Sequence, residues 1–260
     1  MEEIAKNLGA TFPIHIPETV VCEDFESMSQ YSAKCIADVV KEKPDALICL
    51  PAGSTAKRTF EILAEMFKKK KIDFSNAFFV ALDEWLDLED VSENCTSFMY
   101  HNFYRPLSIR EDQITLFDVH AKDLEMECRR VDEYIFKKGG IDCMLLGLGM
   151  NGHLGLNEPG VDFNSYTKVI SLDTVTMEVG QKYFSQDMKL TRGITLGIRH
   201  MFEAKKVVLQ VGGRAKRDIV EKMYRSRPGN EIPATVLKLL PNGMVILDQD
   251  AASKINDLLD

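Results

Sequence analysis

Three short stretches carry residue types suited to acid–base and anion chemistry, each at the end of an apolar run. In LPAGST (50–55), Gly53 lets the backbone turn sharply and Ser54 or Thr55 can cap a helix starting there. Free N–H groups at such a helix start form a natural anion site. The pattern G-x-x-x-x-G-K-[ST] is absent, so this is not a P-loop. A second run, VGGRAK (211–216), places Arg214 and Lys216 in the first turn of another helix. The helix dipole disfavours cations there unless an anion is present, which nominates Lys216 as a phosphate ligand. In ALDEW (81–85), the adjacent carboxylates of Asp83 and Glu84 repel one another beside Leu82 and Trp85. An apolar wall raises the cost of ionisation, so one acid is poised to accept a proton; a solvated strand end would leave both as ordinary surface acids.

The third stretch is GLGMNGHLGLNEPG (147–160), in which Gly147, Gly149 and Gly152 spell G-x-G-x-x-G. A dinucleotide turn must run directly into a helix, so that a pyrophosphate meets its N-terminus. Here Gly155, Pro159 and Gly160 interrupt any helix begun at Gly152, although Asp173, about 20 residues on, would suit a ribose contact. The alternative is a glycine-lined loop that presents His153 and Glu158 to a ligand approached closely by backbone. Histidine shuttles protons near neutral pH, and a carboxylate beside it fixes its tautomer and raises its pKa.

The surrounding pattern supplies the elements that must position these groups. Helical periodicity is expected over 25–44, 54–70, TSFMYHNFYRPL, LEMECRRVDEYIFKKGG, TMEVGQKYF and AKRDIVEKMYRS. Strands are expected over 45–53, 77–85, QITLFD, 141–149, KVISLD, KKVVLQVGG and GMVILD. Short apolar strands alternating with amphipathic helices predict an α/β fold, an open, mainly parallel, doubly wound sheet with helices on both faces. Residues 1–260 are read as a single domain, with ligands bound beyond the carboxyl ends of the strands.

Composition narrows the partners. A formal charge of −8 opposes duplex nucleic-acid binding, which needs a basic face. The run Lys68–Lys71 falls at a helix end, where cations suit the dipole. Cys22, Cys35, Cys49, Cys95, Cys128 and Cys143 are scattered without zinc spacing and read as buried reduced thiols. The amino-terminal stretch resembles neither a signal nor a transit peptide, and no apolar run is long enough to span a membrane. A cytoplasmic protein without a structural zinc is expected.

Taken with LPAGSTAKRTFEIL, ALDEWLDL, NCTSFMYHNFYRPL, LTRGITLGI and VVLQVGGRAK, the GLGMNGHLGLNEPG segment resembles the glucosamine-6-phosphate deaminase/isomerase family across roughly 25–250. LDEW and NGHLGLNEPG are most similar to its galactosamine-6-phosphate branch. The resemblance implies a Rossmann-like fold and a reaction without metal or redox cofactor. The sugar ring opens, a proton moves from C2 to C1, and ammonia leaves to give a ketohexose 6-phosphate. Asp83 would carry the C2 proton, and His153, oriented and charged by Glu158, would shuttle the ring-opening proton. Gly53, Ser54 and Thr55 would hold the phosphate with Lys216 as counter-charge; Glu84 and Gly152 are placed among the substrate contacts.

The chain departs from the family at several positions. Asn151 stands where the glucosamine enzymes have aspartate, and an amide can neither accept a proton nor charge the histidine, so His153 is expected to lean on Glu158 alone. Val175 replaces an arginine that some members use for phosphate in D-T-R. VDFNSYTKV (161–169) lacks the effector-binding pattern of allosterically activated members, implying no activation by an acetylamino-sugar phosphate. A lactonase acting on sugar-phosphate lactones, or a catalytically weak sugar-phosphate sensor, are the competing readings. Family members range from monomers to hexamers, so a homo-oligomer is compatible with the resemblance.

Overall fold

A computed structural model describes residues 13–259, so the first 12 residues of the amino-terminal stretch read for targeting signals lie outside the described residues. Seven strands form a wholly parallel sheet in the order β1-β10-β9-β6-β2-β3-β5. In chain order they are β1 (Glu18–Cys22), β2 (Leu47–Leu50), β3 (Phe78–Ala81), β5 (Ile114–Thr115), β6 (Cys143–Leu146), β9 (Val207–Val211) and β10 (Gly243–Asp248). Alternate residues of one strand feed opposite cores, because side chains in a strand point to alternating faces. Leu47, Cys49, Met144 and Leu146 join one core, while Ile48, Leu50, Cys143 and Leu145 join the other.

Helices α1 (Phe25–Glu42) and α2 (Ser54–Lys68) cover one face through Met28, Ile36, Phe60 and Leu63. The other face is covered by α4 (Leu124–Lys137), α6 (Ile198–Glu203), α7 (Arg217–Arg225) and α8 (Gln249–Ala252). The expected doubly wound α/β sheet is therefore present. Strand order reverses between β2 and β6, and this switch point leaves a crevice at the carboxyl ends of the strands. Among the described residues, no helix is long and apolar enough to cross a membrane. All six cysteines are free; five are buried and Cys95 is partly so.

One expected strand divides. The run 77–85 reads as continuous, but β3 ends at Ala81, and β4 (Asp83–Leu86) leaves for a second, antiparallel sheet of order β4-β8-β7. Its partners are β8 (Arg192–Thr195), with Asp83 opposite Thr195, and β7 (Lys168–Ser171). The buried Leu82 is the pivot, its carbonyl accepting from Leu196 N at 2.8 Å. Uniform hydrophobicity on both sides of the pivot hides the change of sheet. The stretch TSFMYHNFYRPL also divides, into α3 (Cys95–Met99) and a π-helical turn over Tyr100–Tyr104. Helix α5 (Thr174–Gly180) follows β7 and continues as a 3-10 turn over Gln181–Tyr183.

Candidate active site

The three sequence stretches and VGGRAK converge on one cavity of about 310 Å³ at the strand ends. Gly53, Ser54, Thr55, Asp83, His153 and Lys216 all line it. Helix α2 is capped by Gly53 without a side-chain hydrogen bond, contrary to the expected Ser54 or Thr55 cap. Its first-turn amides are thus left for a ligand. Arg214 is exposed and does not line the cavity; Lys216 does, and its Nζ donates to the Leu148 carbonyl. Burial, then the nearby charge of Lys182, lowers the Lys216 pKa to about 8.

Asp83 sits at the junction of the two sheets, and no residue among those described hydrogen-bonds its carboxylate. Burial, reinforced by the charge of Glu84, raises its pKa to about 7, near the value that suits a general base at neutral pH. Glu84 plays a different part from the expected substrate contact. Its buried carboxylate accepts from Trp85 N at 2.9 Å, Cys95 N at 3.0 Å and Thr96 N at 2.7 Å. It fastens the start of α3 to β4 because a strand side chain adjacent to Asp83 must point to the opposite face.

His153 is held from Nδ1. Asn151 Oδ1 lies 2.8 Å away, Thr176 Oγ1 3.0 Å and Glu158 Oε2 3.5 Å. The expectation that His153 leans on Glu158 alone is therefore corrected. Asn151 Nδ2 donates to Glu158 Oε2 at 2.9 Å and to Asp173 Oδ1 at 3.2 Å, which orients its carbonyl toward the imidazole. A carbonyl can only accept, so Asn151 selects the Nδ1–H tautomer and leaves the Nε2 lone pair for a ligand. Burial alone would raise the Glu158 pKa, but hydrogen bonding and charge from His153, with Thr176 and Asn151, hold it below its ordinary value.

The glycines serve the loop in three distinct ways. A Cβ on Gly149 would fall 2.4 Å from the imidazole, so the ring packs directly on that backbone. Gly152 has a φ of 88° and faces Ile232, where a Cβ would meet a methyl carbon at 2.7 Å; it is a turn residue outside the cavity lining, not the expected contact. Gly147 lines the cavity with nothing within 4 Å of a Cβ position, and is the glycine that leaves room for a ligand. No helix follows Gly152, which disposes of the dinucleotide turn.

Sequence reasoning missed several contributors. Asp173 caps α5 by accepting from Val175 N at 2.9 Å while also receiving Asn151 Nδ2. Thr176 bonds His153 from the same helix, and Asn157 pins the loop by donating to Leu154 O at 2.9 Å and Leu196 O at 2.8 Å. The N-E pair beside a proline was the one sequence signal for Asn157; nothing marks Thr176. Lys182 and Tyr183, from the 3-10 turn, complete the wall facing Gly53.

A parallel doubly wound sheet whose strand ends gather a helix start, a lysine, a carboxylate with a raised pKa and a tautomer-fixed histidine around one cavity has the make-up of a sugar-phosphate enzyme. Residues 23–245 match the profile of the family described as glucosamine-6-phosphate isomerases/6-phosphogluconolactonase, and the chain belongs to that family. It is 36% identical over 242 residues to glucosamine-6-phosphate deaminase of Thermoanaerobacter pseudethanolicus, covering 92% of this chain and 96% of the relative. It is 34% identical to glucosamine-6-phosphate deaminase 1 of Bacillus subtilis over 234 residues, covering 89% and 97%. A solved monomeric glucosamine-6-phosphate deaminase superposes with a TM-score of 0.87 at 32% identity, covering 91% of this chain and 99% of the other. The 6-phosphogluconolactonase of Trypanosoma cruzi shares the fold, with a TM-score of 0.74 at 19% identity over 94% and 99% of the two chains.

Proposed function

We propose that the chain deaminates and isomerises an amino-hexose 6-phosphate, giving a ketohexose 6-phosphate and ammonia. The observation carrying this reading is Asp83: an unpartnered carboxylate, with a pKa of about 7, that shares a cavity with His153 and Lys216. His153 Nε2 accepts the anomeric hydroxyl proton and returns it to the ring oxygen, opening the sugar. Asp83 removes the C2 proton and delivers it to C1 while O1 takes up the proton given up by the C2 ammonium, so the protonated amino aldehyde passes through an enolamine to an isomeric C2 iminium. Water adds at C2 and ammonia leaves. Lys216 and the first-turn amides of α2 hold the phosphate, so binding energy far from C2 orients the reacting carbon.

The relatives at 34–36% identity over nine-tenths of the chain are named for glucosamine 6-phosphate, whereas LDEW and NGHLGLNEPG favour the galactosamine epimer. Long similarity outweighs two short motifs, and glucosamine 6-phosphate is the first substrate on this reading. Purified protein should be incubated separately with glucosamine 6-phosphate, galactosamine 6-phosphate and 6-phosphogluconolactone, following ammonia, ketose phosphate and acid. Ammonia from an amino sugar is expected, and the ratio of kcat/KM for the epimers gives the preference. Acid release from the lactone without ammonia from either amino sugar would replace this reading with a lactonase.

A further inference from the structure

The anion end of the cavity holds a cation that the sequence motifs do not reveal. Val175, Val179 and Lys182 all line the cavity from α5 and the turn that continues it. Their spacing, i, i+4 and i+7, keeps them on one helical face. Val175 offers that face no charge, and Lys182, two turns later, does. Lys182 and Lys216 line the same cavity, and the Lys216 pKa is lowered by burial first and by the charge of Lys182 second. Among the described residues neither lysine has an ion-pair partner. Glu93, which also lines the cavity, accepts from Ser185 N at 2.7 Å and Ser185 Oγ at 2.9 Å.

Two like charges facing one cavity without a counterion repel, and a bound dianion relieves both. We propose that Lys182 is a second phosphate-binding cation, which makes the subsite specific for the dianionic form of a phosphate monoester. Lys216 and the amides at Ser54 and Thr55 hold the phosphate from the strand ends, while Lys182 holds it from the α5 wall. The inference rests on the reading of the cavity as a sugar-phosphate site.

Steady-state kinetics with glucosamine 6-phosphate on the wild type, Lys182→Gln and Lys182→Arg test it, alongside inhibition by inorganic phosphate. Lys182→Gln is expected to raise KM and the phosphate inhibition constant together by about tenfold, as for one charge-assisted hydrogen bond. The kcat should change far less, and Lys182→Arg should restore both constants. The KM difference should shrink as added sodium chloride screens an exposed ammonium. Unchanged KM and phosphate inhibition in Lys182→Gln overturn the assignment. A wild type that releases no ammonia defeats the functional reading instead. Calorimetric titration of wild type and Lys182→Gln with inorganic phosphate then still decides the role of Lys182, equal affinities refuting it.

Discussion

Asn151 does what no carboxylate can, donating through Nδ2 to Glu158 and Asp173 while accepting through Oδ1 from His153. An aspartate there would set a third carboxylate against two others, and the cluster would bind protons more tightly. Asn151→Asp should therefore raise the apparent pKa of the histidine limb in the pH profile of kcat/KM. An unchanged profile would show that position 151 is not electrically coupled to the ring. Asp83 acts on the same rising limb, because it and the imidazole must both be deprotonated to serve as bases. It acts as a base only when ionised, above about 7, and Lys216 remains a cation only below about 8, so kcat/KM should peak between those values. The raised Asp83 pKa also has a stability consequence. The folded state binds this proton more tightly than the unfolded chain, so stability is lost as pH rises from 3.8 through about 7. Asp83→Asn should abolish turnover and, at pH 8, stabilise the fold by on the order of 2 kcal/mol, with no gain at pH 3. Denaturant titration at both pH values measures it.

The elements differ in how much backbone closeness they tolerate. A Cβ at Gly197 would stand 2.1 Å from the carbonyl oxygens of Ser165 and Tyr166, where β8 hands over to α6. Gly197→Ala should destabilise by roughly 3 kcal/mol or more, because backbone oxygens cannot step aside. Gly147→Ala meets no atom within 4 Å and should unfold at nearly the wild-type denaturant concentration while raising KM by narrowing the cavity. These two substitutions also mark what was legible in sequence. Apolar runs ending in glycine and polar residues were enough to find β2, β6, β9 and the three strand ends, since buried parallel strands have nothing but hydrophobicity to display. The small antiparallel sheet was not legible. Its middle strand, RGIT (192–195), is short and begins with a charge, and its outer strand β4 is masked by continuity with β3. Glu84 was misassigned for the same reason, because its role depends on which sheet its strand enters. Thr176 and Lys182 look like ordinary helix residues until α5 is seen to wall the cavity.

For the molecule as a whole, the cavity is lined jointly by strand ends of the large sheet, by β4 of the small sheet and by α5. A ligand bridging these should tie the two sheets together and stabilise the native state by linkage. In Asp83→Asn, which binds without turning over, glucosamine 6-phosphate at about 100 times its Kd should raise Tm by roughly 5–10 °C. A thermal melt with and without ligand measures this, and an absent shift would mean the cavity does not hold the sugar phosphate. The formal charge of −8 repels such a dianion at long range, so its capture relies on the local lysines rather than on steering by the whole surface.

The pivot at Leu82 has a consequence for how such a protein diversifies. With Asp83 at the seam between two sheets, the cavity is assembled from separate parts of the chain, the strand ends of the large sheet and the segment 161–196. Substitutions at Val175, Val179 and Lys182 can therefore reshape one wall of the cavity while the parallel sheet that carries the other strand ends is left untouched.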